Sequence, residues 1–211
     1  MRVIAIDGPA GSGKSTIARR LATRLGLEYL DTGAMYRAVT FATLRRGLDP
    51  GDAADVARIV GDIELEVGAE RVTVDGVDAT IEIRSPEVTR AVSLVAANVD
   101  VRSEMVRRQR AWATERGGGV LEGRDIGTVV FPTAELKVYL TARPEVRAER
   151  RSQEVADLSY EAVASDLARR DALDQSRVAS PLAEAADALM VDTSDLTVDE
   201  VVEALASKMR T

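Results

Sequence analysis

The feature that most constrains this fold is the glycine-rich segment Gly8–Ser15, which fits the pattern G-x-x-x-x-G-K-[ST] without a mismatch. The apolar run Val3–Ile6 precedes it, and apolar residues recur at helical spacing from Ile17 to Leu25. A loop between a strand and a helix can wrap a polyphosphate, because its glycines turn successive backbone N–H groups inward. The helix N-terminus adds positive partial charge at the same place. The alternative is a glycine-rich turn before an ordinary helix. The matching flanks favour a nucleoside triphosphate site.

The motif gives the residues of this loop separate tasks. Lys14 is expected to reach the β- and γ-phosphates, and the Ser15 hydroxyl is expected to coordinate Mg²⁺, which is therefore the predicted cofactor. The residues predicted to line the triphosphate are Gly8, Pro9, Ala10, Gly11, Ser12, Gly13, Lys14, Ser15 and Thr16.

Composition excludes several classes of protein. The 211-residue chain has no histidine and no cysteine, so it offers neither a thiolate metal site nor the commonest general base. Its net charge of −7 argues against a nucleic-acid partner, since phosphate backbones are bound by basic faces. No apolar stretch approaches the ~18 residues of a membrane span, and no signal peptide is visible. We expect a cytoplasmic monomer with small-molecule partners, binding no nucleic acid and no membrane.

Short apolar runs alternate with helical patterns, which predicts a doubly wound α/β fold around a parallel sheet. Ser85 is the predicted N-cap of one helix, because a proline and an acidic residue follow it. The predicted strands are Arg2–Ile6, Glu28–Leu30, Val120–Glu122, Leu136–Thr141 and Ala188–Val191. The predicted helices are Lys14–Leu25, Ala34–Arg46, Asp52–Val60, Glu87–Ala97, Val101–Arg116, Pro144–Arg151, Tyr160–Arg170 and Val198–Met209.

One stretch interrupts this alternation. Residues 63–67 alternate apolar and polar side chains, and the strand-like run Val72–Val74 leads through Asp75-Gly76 into a third run, Val77–Ile83. An Asp-Gly pair between two such runs is a strong hairpin pattern. We predict a small antiparallel sheet at about residues 62–84, inserted into a single domain that spans residues 1–211.

A phosphate loop is shared by GTPases, ATPases, small-molecule kinases and nucleotide sensors, so the rest of the chain must distinguish them. The guanine-reading segment N-K-x-D of GTPases is absent. No apolar strand ends in the Asp-Glu pair that ABC-type and AAA-type ATPases need. Instead, arginine-rich segments have the spacing of a second site for an acceptor phosphate. Phosphoryl transfer depends on positioning and on cationic groups around the transferring phosphoryl, so the missing histidine is no obstacle.

Three segments carry a more specific resemblance: Asp31–Arg37, Gly123–Pro132 and Arg169–Arg177. The first two follow predicted parallel strands, at the end of the sheet where ligands bind in this architecture. Together with Ile6–Pro9, they resemble the bacterial cytidylate kinases, and the resemblance covers nearly the whole chain. It implies a P-loop kinase that transfers phosphate from ATP to CMP or dCMP, with the small sheet enlarging the monophosphate-binding region.

The resemblance also implies roles for individual residues. The acceptor phosphate would be held by Thr32, Arg37, Arg124 and Arg177. Arg170 and Asp174 would contact the acceptor's ribose and phosphate. Ser93, Arg102 and Asp125 would read the base. Plainer roles stay open for several of these residues, among them a solvated side chain for Arg37, a helix cap for Asp125 and an arginine partner for Asp174.

The chemistry of cytosine agrees with the assignment of Ser93, Arg102 and Asp125 to the base. Cytosine presents an amino donor beside two acceptors, so a carboxylate such as Asp125 suits the amino group, while Arg102 and Ser93 can donate to N3 and O2. Uracil has a carbonyl in place of the amino group and would leave Asp125 facing an acceptor. We therefore predict a preference for CMP and dCMP over UMP.

Residues 143–171 are the predicted lid over the triphosphate, closing to exclude water. Arg143, Arg147, Arg150 and Arg151 recur near helical spacing, and Arg147 and Arg151 are the predicted catalytic contacts beside Lys14, Arg124 and Arg177. The alternative for the helix is a salt-bridged surface with Glu145 and Glu149.

Asp7 is a weaker candidate for orienting metal-bound water. A kinase for UMP or shikimate, or a nucleotide sensor without turnover, is the alternative function.

Overall fold

The structure is a computed structural model that describes residues 1–154 and 158–209. The chain divides into two compact units. The first unit joins Met1–Tyr29 to Arg116–Thr211, and the second is Leu30–Glu115. The assignment of residues 1–211 to one kinase domain stays a prediction.

Strands and helices alternate through most of the described residues. The strands are β1 (Arg2–Asp7), β2 (Tyr29–Asp31), β3 (Leu65–Val67), β4 (Val72–Val74), β5 (Val77–Asp78), β6 (Gly118–Gly123), β7 (Leu136–Thr141) and β8 (Leu189–Asp192). The helices are α1 (Lys14–Leu25), α2 (Thr32–Arg45), α3 (Ala53–Val60), α4 (Pro86–Ala97), α5 (Val99–Glu115), α6 (Pro144–Glu154), α7 (Tyr160–Ser176) and α8 (Val198–Lys208). A 3-10 turn at Glu82–Arg84 and a π-type turn at Ile126–Val130 complete them.

The larger sheet has five strands in the order β2-β6-β1-β7-β8. Strand β1 pairs in parallel with β6 on one side and β7 on the other, and β7 pairs in parallel with β8. The register aligns Asp7 with Gly123 and with Tyr139, so the chain leaves these strands at one edge of the sheet. The predicted α/β fold is confirmed, with the phosphate loop at the edge where such sheets bind ligands.

A core of aliphatic side chains joins this sheet to helices α1 and α8. Ile4 and Ile6 of β1 and Leu140 of β7 pack with Leu21 of α1 and Leu205 of α8, and none of the five is exposed to solvent. Strand β1 is buried along most of its length because it lies in the interior of the sheet, which explains its unbroken apolar sequence.

The second unit contains the predicted antiparallel sheet. Strand β4 pairs with β3 and with β5, and the Asp75-Gly76 turn lies between β4 and β5. Both turn residues have positive φ, 51° at Asp75 and 73° at Gly76, as a two-residue hairpin of primed type requires. The Asp-Gly prediction is therefore confirmed.

The third predicted run, Val77–Ile83, is wrong beyond Asp78. The Asp78 carboxylate accepts hydrogen bonds from the backbone N–H and the hydroxyl of Thr80, at 3.1 and 2.6 Å, and these bonds turn the chain away from the sheet. The following 3-10 turn buries Ile83. The apolar residues after Asp78 thus belong to a turn, not to a strand.

Most helix ends lie within two residues of their predicted positions. The Ser85 side chain accepts a hydrogen bond from the backbone N–H of Val88, which confirms the predicted N-cap of α4. Helix α7 is longer than predicted and continues to Ser176 before Arg177 takes an extended conformation. The turn at Ile126–Val130 was not predicted. Among the described residues, no helix is long and apolar enough to cross a lipid bilayer.

We predict that alanine at Gly118 destabilises the first unit far more than alanine at Gly117. Both glycines have positive φ, but a Cβ at Gly118 would lie 2.1 Å from the Arg2 carbonyl oxygen, whereas nothing lies within 4 Å of one at Gly117. Gly117→Ala should cost about 1 kcal/mol of unfolding free energy from backbone strain. Gly118→Ala should cost about 3 kcal/mol or more. Urea unfolding of both variants measures the difference, and equal losses would contradict the close strand approach.

Candidate active site

The phosphate loop occupies residues 8–13, between the end of β1 and the start of α1. Gly8, Gly11 and Gly13 have φ values of 147°, 75° and 86°, which side-chain-bearing residues rarely adopt. Gly13 stands at the N-cap of α1 and has no side chain to cap the helix. The first N–H groups of α1 are therefore offered to an anion in the loop, together with the positive end of the helix dipole.

Lys14 lies buried under this loop, and its Nζ donates a hydrogen bond to the Pro9 carbonyl at 2.6 Å. Burial and the neighbouring Arg124 guanidinium lower the pKa of Lys14 to about 7, against the opposing effect of Glu122 and other nearby carboxylates. At neutral pH a buried amine with such a pKa is only partly protonated, and added negative charge completes its protonation. A triphosphate supplies that charge.

Glu122, the next-to-last residue of β6, is a site residue that the sequence analysis missed. Its carboxylate is 3.0 Å from the Ser15 hydroxyl and also accepts a short hydrogen bond from the Tyr29 hydroxyl. Only 3% of Glu122 is exposed. The sequence pattern that indicates this residue is an apolar strand ending in a single acid, Val120-Leu121-Glu122, which is weaker than an Asp-Glu pair.

An arginine pair shares one carboxylate near the end of β6. Arg124 Nε donates to Asp174 Oδ2 at 2.8 Å, and Arg177 Nη1 lies 3.5 Å from Asp174 Oδ1. Arg177 Nε also donates to the Ser180 carbonyl at 2.6 Å. The structure thus brings Arg124, Asp174 and Arg177 together, and Asp174 holds both guanidinium groups.

Arg170 lies one turn before Asp174 on α7. Burial and the like charge of Arg124 lower the pKa of its guanidinium, although Asp166 and Asp174 act in the opposite direction. Its Nε has no hydrogen-bond partner among the residues that the structure describes. A partly buried guanidinium with a buried, unsatisfied N–H beside a second arginine is an arrangement that an anion stabilises.

The predicted lid begins with helix α6, which packs against the phosphate loop. Arg147 Nη1 donates to the Ala10 carbonyl at 3.0 Å and makes a short ion pair with Asp171, whose other oxygen accepts from the Ala10 N–H. A Cβ at Gly11 would lie 3.0 Å from the Arg147 carbonyl oxygen. Arg147 therefore contacts the loop itself, and its predicted contact with the triphosphate stays a prediction.

The other lid arginines have different partners. Arg150 donates to the hydroxyl and the carbonyl of Thr193, at 2.9 and 2.6 Å. Arg143 pairs with the exposed Asp195, and Arg151 pairs with Glu154 on its own helix. Glu145 and Glu149 make none of these pairs. The part of the predicted lid at residues 155–157 lies outside the described residues.

Asp125 is 4% exposed and directly precedes the turn at Ile126–Val130. Its carbonyl oxygen accepts from the N–H groups of Val129 and Val130, at 2.9 and 3.2 Å. Its side chain makes no capping hydrogen bond to the turn. The plainer role as a helix cap is therefore not the one that its carboxylate has in this structure.

The remaining predicted residues belong to the second unit. Arg37 Nη1 donates to the Ile83 carbonyl at 3.2 Å and to the Thr89 hydroxyl at 2.9 Å, so it is not merely a solvated side chain. Arg102 Nη1 donates to the Ala96 carbonyl at 3.2 Å, and its guanidinium lies 5.3 Å from the centre of the Tyr36 ring. Thr32, Ser93 and Arg102 are all buried, on α2, α4 and α5.

A glycine loop at the end of a parallel strand, a buried lysine and a set of arginines beyond the loop define a P-loop kinase. The comparisons specify which kind. The cytidylate kinase family model matches residues 4–211. A cytidylate kinase of Nocardia farcinica is 51% identical, over 97% of this chain and 91% of that protein. One from Pelotomaculum thermopropionicum is 49% identical, over 98% and 95%. This chain belongs to the cytidylate kinase family.

A solved structure supports the fold on independent grounds. The shikimate kinase of Acinetobacter baumannii, in complex with shikimate, superposes with a TM-score of 0.51 over 100% of this chain and 93% of that one. At 16% sequence identity, this likeness extends to the fold alone.

We predict that nucleotide binding takes up a proton above pH 7. In the free protein the Lys14 amine has a pKa of about 7 and is largely unprotonated at pH 8, whereas bound phosphates stabilise its ammonium form and raise the pKa. ATP affinity should therefore fall as the pH rises through 7. Calorimetry at pH 8, in two buffers of different ionisation enthalpy, measures the uptake.

The matched control is Lys14→Arg, whose guanidinium does not titrate in this range. It should bind ATP with no proton uptake assignable to position 14. A wild-type binding enthalpy independent of the buffer, or equal proton uptake in both proteins, would contradict the titration of Lys14.

Proposed function

We propose that this protein transfers the γ-phosphate of ATP to CMP or dCMP, giving ADP and CDP or dCDP. The observation that carries the proposal is a group of cations beyond the phosphate loop, formed by the buried Lys14 and the partly buried Arg124, Arg170 and Arg177. A donor triphosphate alone does not need so many cationic groups. A second phosphate, brought in line with the first, does.

The donor is held by the loop. Its backbone N–H groups cradle the phosphates, and Lys14 exchanges the Pro9 carbonyl for the β- and γ-phosphate oxygens. The Lys14 ammonium then stabilises the charge that develops on the transferring phosphoryl group. Because the acceptor is a phosphate monoester, already ionised near neutral pH, no general base is needed.

The residues around Ser15 suit a magnesium ion. Mg²⁺ prefers oxygen ligands and keeps several waters, so one hydroxyl and a nearby carboxylate, completed by nucleotide phosphates, form an adequate donor set. Ser15 and Glu122 provide that pair at 3.0 Å. Among the described residues, no cluster of three or more carboxylates offers a site formed by protein alone. A bound Mg²⁺ would neutralise charge on the β- and γ-phosphates.

The acceptor phosphate is assigned to Arg124 and Arg177, with Arg170 beside them. Asp174 fixes the two guanidinium groups before the substrate arrives, which lowers the entropy lost when the acceptor binds. Thr32 and Arg37 keep the acceptor-phosphate role that the family resemblance implies. Arg170 and Asp174 are assigned contacts to the acceptor's ribose and phosphate by the same resemblance.

The base is assigned to Asp125, with Ser93 and Arg102 in their resemblance-based roles. The buried Asp125 carboxylate can accept a hydrogen bond from the cytosine amino group, whereas the uracil carbonyl offers it no donor. A site that hydrogen-bonds one group can reject its analogue by ~10⁴-fold. The preference for CMP and dCMP over UMP follows from this chemistry.

The lid is assigned to α6 and the residues that follow it. Arg147 already bridges α6, Asp171 of α7 and the loop carbonyl of Ala10, so movement of this helix is coupled to the phosphate loop. Arg147 and Arg151 are the proposed contacts to the triphosphate. Their closure would exclude water from the γ-phosphate and so prevent hydrolysis.

We propose further that the protein acts as a cytoplasmic monomer and binds neither nucleic acid nor membrane. The acidic net charge of −7 supports the absence of nucleic-acid and anionic-membrane partners, because it disfavours polyanions.

Steady-state release of ADP tests the proposal, with ATP, Mg²⁺ and a panel of CMP, dCMP, UMP, AMP, GMP and shikimate. We expect turnover confined mainly to CMP and dCMP. Asp125→Asn should lower kcat/KM for CMP by about 100-fold and narrow the preference over UMP, because the amide can donate to the uracil carbonyl.

The matched control is Asp187→Asn, which removes an exposed carboxylate that pairs with Lys137. It should leave the acceptor preference unchanged. Comparable turnover of UMP and CMP by the wild type would refute the proposed role of Asp125. Turnover of shikimate alone would indicate the other kinase class, and ATP binding without turnover of any acceptor would indicate a nucleotide sensor.

A further inference from the structure

Asp7, the last residue of β1, is bound on both carboxylate oxygens by main-chain donors. Its Oδ1 accepts from the N–H of Ile126 at 2.9 Å, and its Oδ2 accepts from the N–H of Gly127 at 2.7 Å. The residue is 5% exposed. Both carboxylate oxygens thus accept hydrogen bonds from residues 119 and 120 positions further along the chain. This arrangement does not favour the alternative that Asp7 orients metal-bound water.

The donors are the first two N–H groups of the turn at Ile126–Val130. Such groups have no partner inside a helical turn and need an acceptor from elsewhere. The residue before the turn, Asp125, does not cap it with its side chain. The cap comes instead from Asp7 on a neighbouring strand.

The packing around Gly127 shows how closely Asp7 approaches the turn. A Cβ at Gly127 would lie 3.4 Å from Asp7 Oδ2 and 3.2 Å from Lys137 Cδ. The Lys137 ammonium is directed to Asp187, at 2.7 and 2.8 Å from its two oxygens. Asp7 therefore lies against the turn backbone, and the nearest lysine on β7 pairs with a different carboxylate.

We propose that Asp7 is a positioning residue for acceptor recognition, its carboxylate fixing the backbone from which Arg124 and Asp125 extend. The anchoring bonds follow those two residues directly in sequence, and Asp125 also supplies the carbonyl that closes the turn. A displacement of the turn backbone would thus move the side chains of both Arg124 and Asp125. The inference rests on the proposed function for the roles of Arg124 and Asp125.

Two substitutions remove the anchor in steps. Asp7→Asn keeps one acceptor oxygen and presents an N–H₂ donor to the other backbone N–H, whereas Asp7→Ala removes both acceptors. Hydrogen exchange in a peptide covering residues 124–131 should become faster in Asp7→Asn and faster still in Asp7→Ala. Asp7→Asn decides the test if Asp7→Ala does not fold.

Steady-state kinetics separate positioning from a general structural role. For Asp7→Asn we expect the KM for CMP to rise about tenfold, while kcat and the KM for ATP change by less than about threefold. Asp187→Asn makes the same change at an exposed carboxylate and should leave all three constants unchanged.

Three results would overturn the inference. One is unchanged exchange of residues 124–131 in both variants, which needs no assumption about the substrate. Another is an effect on kcat and the KM for ATP rather than the KM for CMP, since Asp7 would then act through Lys14. The third is a loss of thermal stability with no change in any kinetic constant. If the wild type does not phosphorylate CMP, the proposed function fails, and the exchange experiment still tests the anchor.

Discussion

The parallel register of β1 between β6 and β7 is the constraint on which the site depends. It sets the ends of β1 and β6 side by side, with Asp7 opposite Gly123. The phosphate loop leaves one strand and the Arg124-Asp125 segment leaves the other, so one edge of the sheet carries both. A slip of register would separate them and reverse the faces of β1. The aliphatic core of the first unit stabilises this register.

Charge is the second organising principle of this edge. The Arg124 guanidinium lies close enough to the buried Lys14 amine to lower its pKa, while the carboxylates of Glu122, Asp7 and Asp171 act in the opposite direction. Without those carboxylates, so many cations could not share a desolvated space. Asp174 holds Arg124 and Arg177, and Asp171 holds Arg147, so these guanidinium groups are oriented before any phosphate arrives. Preorganised positive charge is what phosphoryl transfer requires of a protein.

The sequence predicted those parts whose causes are local. The loop glycines, the Asp75-Gly76 hairpin and the Ser85 cap each depend on a few neighbouring residues, and the structure has all three. The hydrogen bonds of Glu122 to Ser15 and of Asp7 to the 126–130 turn join residues more than 100 positions apart, and no local pattern indicates them. The predicted strand was wrong after Asp78 because apolar residues at this spacing occur in buried turns as well as in strands.

The proposed function requires that two phosphates meet at this edge and that one phosphoryl group passes between them. ATP labelled on its γ-phosphorus, incubated with the protein, Mg²⁺ and CMP, tests it most directly. We expect the label to appear on the β-phosphorus of CDP. Release of the label as inorganic phosphate while CMP is unchanged, or its retention in ATP, would contradict it.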